Sequence, residues 1–551
     1  STEALRSFLS SRLPDYMLPA AFLHLAALPL TANAKLDRKA LPAPDSRPAL
    51  SQDFVAPRDD VESLLASLWA SVLHLQRVGV HDNFFALGGH SLLATQALSR
   101  IRSAFGIDLP LRDLFDSPTV ATLSLRIHAA LLAISGPIAA PLLPVPRTGR
   151  LPLSFAQQRL FFLDQLEPLN PAYNIPAAVR LEGRLDVEVL ERSLDELIRR
   201  HESLRTTFHS EQEEVSQRIA PPGGFTLPVE DLRSLPDSER EELAARKSDA
   251  EARRPFDLQR GPLLRATLLR TTETSHVLHL TMHHIVSDGW SVGLLIRELS
   301  ALYTAFAKGL PSPLPALPIQ YADFAAWQRQ ALRGETLEAQ LSWWRQELEG
   351  VPQSLSLPTD FPRPSVQSFR GSSLRVHVPR ALAEAVEALS LREGVTPFMT
   401  LLASFQLLLH RYCAQDDFCV GAPIAGRGRS SLEGLIGFFV NTLVHRARFS
   451  GNPSFLSHLA RVKHSALGAF AHQDVPFEKL VEALQPERDL GRTPLFQVMF
   501  TLQPDALPQL ALPGLRVHPL ELHSATSKFD LGLSLTRTPD GFVGAFEFST
   551  D

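Results

Sequence analysis

The sequence predicts a multidomain chain in which a small helical bundle precedes a much longer α+β region, and three observations lead there. The chain has 551 residues, too many for one hydrophobic core, so two to four domains are expected. Two proline clusters, LPAPDSRPAL at 41–50 and GPIAAPLLPVPRTGR at 136–150, isolate a short middle segment, and the second is a semi-rigid connector by composition. Periodicity then changes across that connector. The middle segment has helical spacing, while strand-like and helical patterns alternate over the residues after 150, an arrangement that two lobes would satisfy.

Within the middle segment an amphipathic stretch from about Asp59 to His74 is the first helix. The second begins in DNFFALGGHSLLATQ at 82–96, where Leu93, Ala94, Ala97, Leu98, Ile101 and Phe105 recur at helical spacing from Ser91 onward. A serine at that point reads as an N-cap for the free N–H groups of the helix start. Ser117-Pro118 reads as a cap followed by proline at the first position of a further helix.

In the long region, HVLHLTMHHIVSDGWSVG at 276–293 is the segment richest in chemistry. As a strand over 276–286 it puts Leu278, Leu280, Met282, His284 and Val286 on one side and Val277, His279, Thr281, His283 and Ile285 on the other. The two adjacent histidines therefore face apart. His284 falls in the apolar row near the strand's end, where a neutral imidazole is favoured and can act as a base or as an acceptor that orients an amine. A satisfied core histidine fits the same spacing. After the turn Ser287-Asp288-Gly289, Asp288 reads as the N-cap of a helix with apolar positions Val292, Leu295, Ile296, Leu299, Leu302, Tyr303 and Phe306, closing at Gly309. PSPLPALP at 311–318 and LPTDFPRP at 357–364 are loops, and no repeat of 20 to 50 residues is present.

Several functions are excluded. Lysine and arginine number 54 against 59 acidic residues, a net charge of −5 with no basic block, so nucleic acid is not an expected partner. The two cysteines, Cys413 and Cys419, cannot form a disulfide framework or a structural zinc site and fit a reducing cytoplasm. No apolar run approaches the roughly 20 residues of a membrane span, and STEALRSFLSSRLPDYM lacks the plan of a signal peptide. GHSLL lacks the second glycine of a nucleophile elbow, and adjacent histidines on a strand do not share a face as metal ligands do. No metal is expected.

The residues that follow carry a resemblance. SFAQQRLFFLDQL at 154–166, RHESLRTTF at 200–208, MHHIVSDGWS at 282–291, YADFAAWQR at 321–329, IGFFVNTLVHR at 436–446, HQDVPFEKLVEAL at 472–484 and RDLGRTPLFQVMF at 488–500 stand in the order of the condensation domain of nonribosomal peptide synthetases. Seven blocks in register leave chance negligible. DNFFALGGHSLLATQ resembles the attachment motif of a peptidyl carrier domain, which implies 4′-phosphopantetheine on Ser91. The first 44 residues, with LPDYMLP at 13–19 and TANAKLDR at 31–38, resemble the tail of an adenylation domain. Lys35 matches that family's lysine, with Ala34 where glycine is usual.

The resemblance implies an adenylation remnant at 1–44, a linker at 45–54, a four-helix carrier at 55–133, a linker at 134–150, and two chloramphenicol-acetyltransferase-like lobes at 151–328 and 329–551. The missing adenylation body and the stop at GAFEFSTD imply a piece of a larger synthetase. By the family's order Ser91 holds the donor thioester, and the acceptor aminoacyl group arrives on a downstream carrier. An upstream adenylation domain and a phosphopantetheinyl transferase with coenzyme A are the other implied partners. His284 would accept a proton from the amine or orient it, His283 would support the loop, Asp288 would form a salt bridge with Arg205 as one partner, and the N–H near Gly289 would meet the oxyanion.

Because no domain fits between carrier and residue 151, an L-donor joined to an L-acceptor is expected. Residues 131–150, fully extended, reach at most roughly 60 Å at about 3.1 Å per residue, which implies a mobile carrier with a small, transient interface. Three alternatives stand beside this reading: an epimerisation domain, disfavoured by Asn441-Thr442; a docking module, disfavoured by His284 and Asp288; and a coenzyme A-dependent acyltransferase, disfavoured by the built-in carrier.

Overall fold

A computed structural model describes residues 54–133 and 142–551 apart from 74, 88, 90, 108, 213, 394, 428, 488, 490, 504–509, 521, 523 and 524. The expected adenylation tail at 1–44, Lys35 within it, and the linker as far as residue 53 lie outside the described residues. Two compact units form: one holds the described residues to 133 together with 384–401, the other holds 142–383 and 402–551.

The first unit contains α1 (Asp60–Leu73), α2 (Ser91–Phe105), α3 (Leu111–Asp116) and α4 (Val120–Ala133). Val61, Leu64, Leu65, Leu68 and Trp69 form the buried stripe of α1, and Ala94, Ala97, Ile101 and Phe105 that of α2. Burying each large side chain of this kind contributes about 1.5–3 kcal/mol. The end of the bundle departs from the sequence expectation. Ser117 does not cap a helix start but closes α3, donating its N–H to Asp113 O at 2.9 Å. Thr119 caps α4, its Oγ1 accepting from Thr122 N–H at 3.1 Å, because the Pro118 carbonyl is already committed to Phe84 N–H at 2.7 Å.

The second unit runs through α5 (Phe155–Leu166), β1 (Asn174–Gly183), α6 (Val187–Arg200), the hairpin β2 (Thr206–Glu211) and β3 (Glu214–Ile219), β4 (Val229–Asp231), α7 (Asp237–Arg253), β5 (Leu264–Arg270), β6 (Ser275–His283), α8 (Gly289–Phe306), α9 (Tyr321–Ala331) and α10 (Gly334–Glu347). The chain continues with β7 (Gly371–Pro379), α11 (Arg380–Glu393), α12 (Pro397–Cys413), β8 (Asp417–Ile424), β9 (Asn441–Arg448), α13 (Phe455–Ala471), α14 (Phe477–Leu484), β10 (Val498–Gln503), β11 (Leu515–Pro519), β12 (Leu531–Thr538) and β13 (Gly541–Ser549), the parts of α11 and α12 within 384–401 being counted with the first unit. Two mixed sheets result, ordered β11-β1-β6-β5-β4 and β7-β13-β12-β10-β8-β9. The lobes are not contiguous in the chain: α9 runs through 328/329, and β11 pairs with β1 of the first sheet. Among the described residues no helix is long and apolar enough to cross a membrane.

The central strand β6 is buried along almost its whole length. Leu278, Leu280 and Met282 enter one core with Leu190, Leu194, Leu295, Leu299 and Leu302, while Val277 enters another with Ala244 and Leu269. Both faces of the strand are covered, so the polar half of its alternation, His279, Thr281 and His283, is buried as well. His279, on the second face, is satisfied by Ser248 of α7 at 2.7 Å.

The expected linker at 134–150 is fixed to this unit over its last residues. Val145 N–H donates to Asp323 Oδ1 at 2.7 Å, and Arg147 pairs with Asp323 at 2.6 Å and Glu202 at 2.8 Å. The span counted from residues 131–150 therefore overstates the tether.

Candidate active site

The strand expected over 276–286 ends at His283, and His284–Val286 form a 3₁₀ turn. Ser287 N–H closes the turn on His284 O at 3.2 Å. Its cause is apolar: Ile285 and Val286 leave the β6 rows for a separate core with Phe208, Phe256 and Phe161. His284 is thereby released from the Leu280–Met282 row, and the face argument from strict alternation fails at its last step.

The two histidines acquire different environments. His283 is 4% exposed, and its Nδ1 accepts the Ile285 N–H at 3.2 Å, so it caps the turn in the neutral form. Its ring lies edge-on to Phe256 at 5.9 Å. His284 keeps partial exposure and lies edge-on to Phe438 at 4.9 Å. Its buried Nδ1 has no hydrogen-bond partner. Burial, then the charge of Lys528, pushes His284 down to about 3. Burial, followed by competition with the adjacent His284 for a proton and by the charge of Lys528, does the same to His283, also to about 3. Both are neutral at pH 7.

Asp288 is wholly buried and is the hub behind this turn. Its Oδ1 accepts from Ser291 N–H at 2.8 Å, capping α8 as the sequence predicts. Its Oδ2 accepts from Phe439 N–H at 3.0 Å. The paired cation is Arg427, Nη2 to Oδ1 at 3.1 Å. The expected partner, Arg205, is elsewhere: it bonds the Ala220 carbonyl and stands 4.0 Å from Glu202, where its own segment has turned toward β3. Arg427 Nη1 also donates to the Leu432 and Leu435 carbonyls at 2.6 and 2.8 Å. Its guanidinium covers the Phe439 ring at 4.0 Å.

This hub gathers the sequence blocks. Ser291 Oγ donates to Gly437 O at 2.9 Å, and Tyr321 Oη donates to Phe438 O at 2.5 Å while meeting Ser154 Oγ at 2.8 Å. Ser203 Oγ donates to Ile436 O at 2.7 Å. The segment carrying Phe438 is thus pinned from blocks far apart in sequence, and its ring sets the position of His284. Gly289 opens α8, exposed, and a Cβ there would meet nothing within 4 Å. The first N–H groups of that helix, from Gly289 and Trp290, have no intrahelical acceptor.

In the helical unit Ser91 opens α2. The loop before it folds tightly on Phe84: Gly89 N–H donates to Phe84 O at 2.9 Å, and a Cβ on Gly89 would lie 2.3 Å from the Phe84 ring. A phosphodiester on Ser91 would stand at a helix N-terminus, where free N–H groups and the helix dipole favour an anion. The attachment therefore fits the residues present.

Two residues escape the sequence reading. Arg427 lies in AGRGRS at 425–430 beside Arg429, whose guanidinium instead covers Trp327 at 4.6 Å, and no local pattern separates the two. Lys528 carries no motif at all.

Comparison with known proteins identifies the domains. The family model described as "Condensation domain" matches residues 147–551, and that described as "Phosphopantetheine attachment site" matches 63–127. Two of the polypeptides that make up the linear gramicidin synthase of Brevibacillus parabrevis are similar to the chain, one 52% identical over 551 residues and another 51% identical over 547. These matches cover 100% and 99% of this chain but only 11% and 7% of those relatives' length. The X-domain from teicoplanin biosynthesis superposes with a TM-score of 0.69 at 30% identity, over 75% of this chain and 92% of that one.

Proposed function

The chain belongs to the condensation-domain family, with a phosphopantetheine attachment domain ahead of it, and from that premise we propose that it is a carrier–condensation pair of a nonribosomal peptide synthetase that joins a donor acyl group to an acceptor amine. The attachment domain carries 4′-phosphopantetheine covalently on a serine, and Ser91 is the residue proposed for it. That group supplies an activated acyl thioester on a long arm. The acceptor is an aminoacyl group on a separate carrier. An adenylation domain that selects the donor, and a phosphopantetheinyl transferase using coenzyme A, complete the proposed partners, and an L-donor remains the proposed substrate.

His284 carries the reading. With its imidazole held down to about 3, it cannot take a proton from an α-ammonium, whose ordinary value is about 8. It instead accepts a hydrogen bond from the neutral amine and aims the lone pair at the carbonyl. As the amine adds to the carbonyl its nitrogen becomes strongly acidic, and His284 is placed to hold that proton and pass it on, with the thiol of the carrier arm, as the leaving group, the one that would take it up. The free N–H groups of Gly289 and Trp290 are the proposed oxyanion donors. His283 and Asp288 hold the turn and act through His284.

The reading is tested by intact mass. The full chain, loaded by a phosphopantetheinyl transferase with an aminoacyl-coenzyme A, is mixed with an aminoacylated second carrier. The donor mass should move to the acceptor. Loading abolished by Ser91→Ala, but no transfer to any acceptor offered, would leave the carrier and remove the condensation activity.

A further inference from the structure

The chain passes from β11 in the first sheet to β12 in the second, and residues 527–530, just before β12, are fixed at each position. Ser527 N–H donates to Phe369 O at 2.9 Å, and its Oγ donates to Phe529 O at 2.7 Å. The Lys528 carbonyl accepts from Gln367 Nε2 at 2.9 Å. Asp530 pairs with Arg363, and the Phe529 ring packs on Phe496 at 5.7 Å. A backbone held this way delivers its one cationic side chain to a set place.

That place is beside the histidines. Lys528 Nζ stands 5.2 Å from the centroid of the Tyr173 ring, which lies 6.4 Å from the His283 ring. Among the described residues no carboxylate forms an ion pair with this ammonium. Glu547 of β13 is the one acid acting on it, and that side chain lies 3.4 Å from the Lys528 backbone N–H. Burial holds Lys528 below the ordinary lysine value. Its charge in turn depresses both His283 and His284. The other charged or titratable groups around this point are Tyr173 before β1, Arg265 of β5 acting on His283, and Arg159 of α5 and Glu167 after it, both acting on Tyr173.

We propose, on the condensation reading above, that Lys528 is an electrostatic positioning residue whose ammonium keeps the acceptor amine beside His284 in its neutral, nucleophilic form. A cation close to an amine disfavours the protonated state, so the acceptor leaves its proton in solvent before attack. The need is specific to this site, since the imidazole here is too weak a base to remove that proton itself. Arg265, the other cation acting on His283, is neutralised by Glu251 at 2.5 Å.

The test is the pH profile of single-turnover transfer by the loaded full chain, with wild type, Lys528→Met, Lys528→Gln and Lys528→Arg compared. Wild-type transfer is the prior control: its absence contradicts the condensation reading itself. Given transfer, the Met and Gln variants should be about tenfold slower on the acid limb, converge on wild type near pH 9, and shift the limb up by about one unit. The Arg variant should retain the wild-type limb. An acceptor whose amine is made less basic by β-fluorination should restore the Met variant at neutral pH. A loss equal at every pH, or no rescue by the fluorinated acceptor, would overturn the proposal and assign Lys528 to oxyanion contact or to packing.

Discussion

Arg427 Nη2 stands 3.1 Å from Asp288 Oδ1, and both side chains are wholly buried. The pair joins positions 139 residues apart and fixes the start of α8 against the segment that carries Phe438. Removing one charge leaves the other buried and uncompensated, which costs about 3–5 kcal/mol. Arg427→Met should lower the urea midpoint of the second unit accordingly. Arg427→Lys should fail to restore it, because an ammonium cannot also reach the Leu432 and Leu435 carbonyls in the geometry of a guanidinium fork. A loss below about 1 kcal/mol, the scale of an exposed pair, would contradict this role.

The same pair marks what is legible in the sequence and what is not. Ser91 at the start of α2, the Asp288 cap and the apolar rows of α8 are local, and helical period or capping chemistry reveals each. The 3₁₀ turn at His284 is not legible, because it is driven by where Ile285 and Val286 pack. Arg427, Lys528 and the passage of β11 into the first sheet depend on contacts between distant segments, which no local pattern records. The two-lobed fold follows from the family resemblance, and periodicity alone only permits it.

Gly289 separates stability from chemistry. A methyl group there meets nothing within the chain, and alanine is favoured over glycine in a helix by about 0.5–1 kcal/mol. Gly289→Ala should therefore unfold at the same temperature or slightly higher, yet transfer at least tenfold more slowly, because the methyl occupies space beside the proposed oxyanion donors. Thermal unfolding and single-turnover transfer measure the two effects. Unchanged transfer would exclude Gly289 from the site.

Gly89 makes the opposite prediction. Its Cβ would lie 2.3 Å from the Phe84 ring, and Phe84 is wholly buried against Trp69 at 4.9 Å. Gly89→Ala should destabilise the helical unit by about 1–3 kcal/mol and slow attachment at Ser91, followed by intact mass against time. Wild-type loading would show that the loop accommodates the methyl.

Buried histidines give the stability a direction with pH. Burial holds His283 and His284 at about 3 and His445 and His458 at about 4, against an ordinary 6.5. The unfolded chain therefore binds more protons once the pH falls below about 6.5. Stability is full above that value and is lost toward pH 3–4, by up to about 2 kcal/mol for each histidine at pH 5. Urea denaturation at pH 7.5 and pH 5 checks the sign. His458→Phe, at a ring stacked 4.2 Å from Phe449, should reduce the slope by one proton, and an unchanged slope would contradict its neutral burial.

The proposed function rests on a neutral His284 that directs an amine onto a donor held at Ser91. Rapid-quench single turnover measures it most directly, with the chain loaded at Ser91 and an aminoacyl acceptor on a second carrier, wild type against His284→Ala. His284→Ala should lose about 10²–10⁴-fold, the range of a positioned acid–base group, with loading and unfolding temperature unchanged. Any titration of the wild-type rate between pH 5 and 8 should move with the basicity of the acceptor amine and so not belong to an imidazole. Equal transfer by the two proteins would contradict this role of His284.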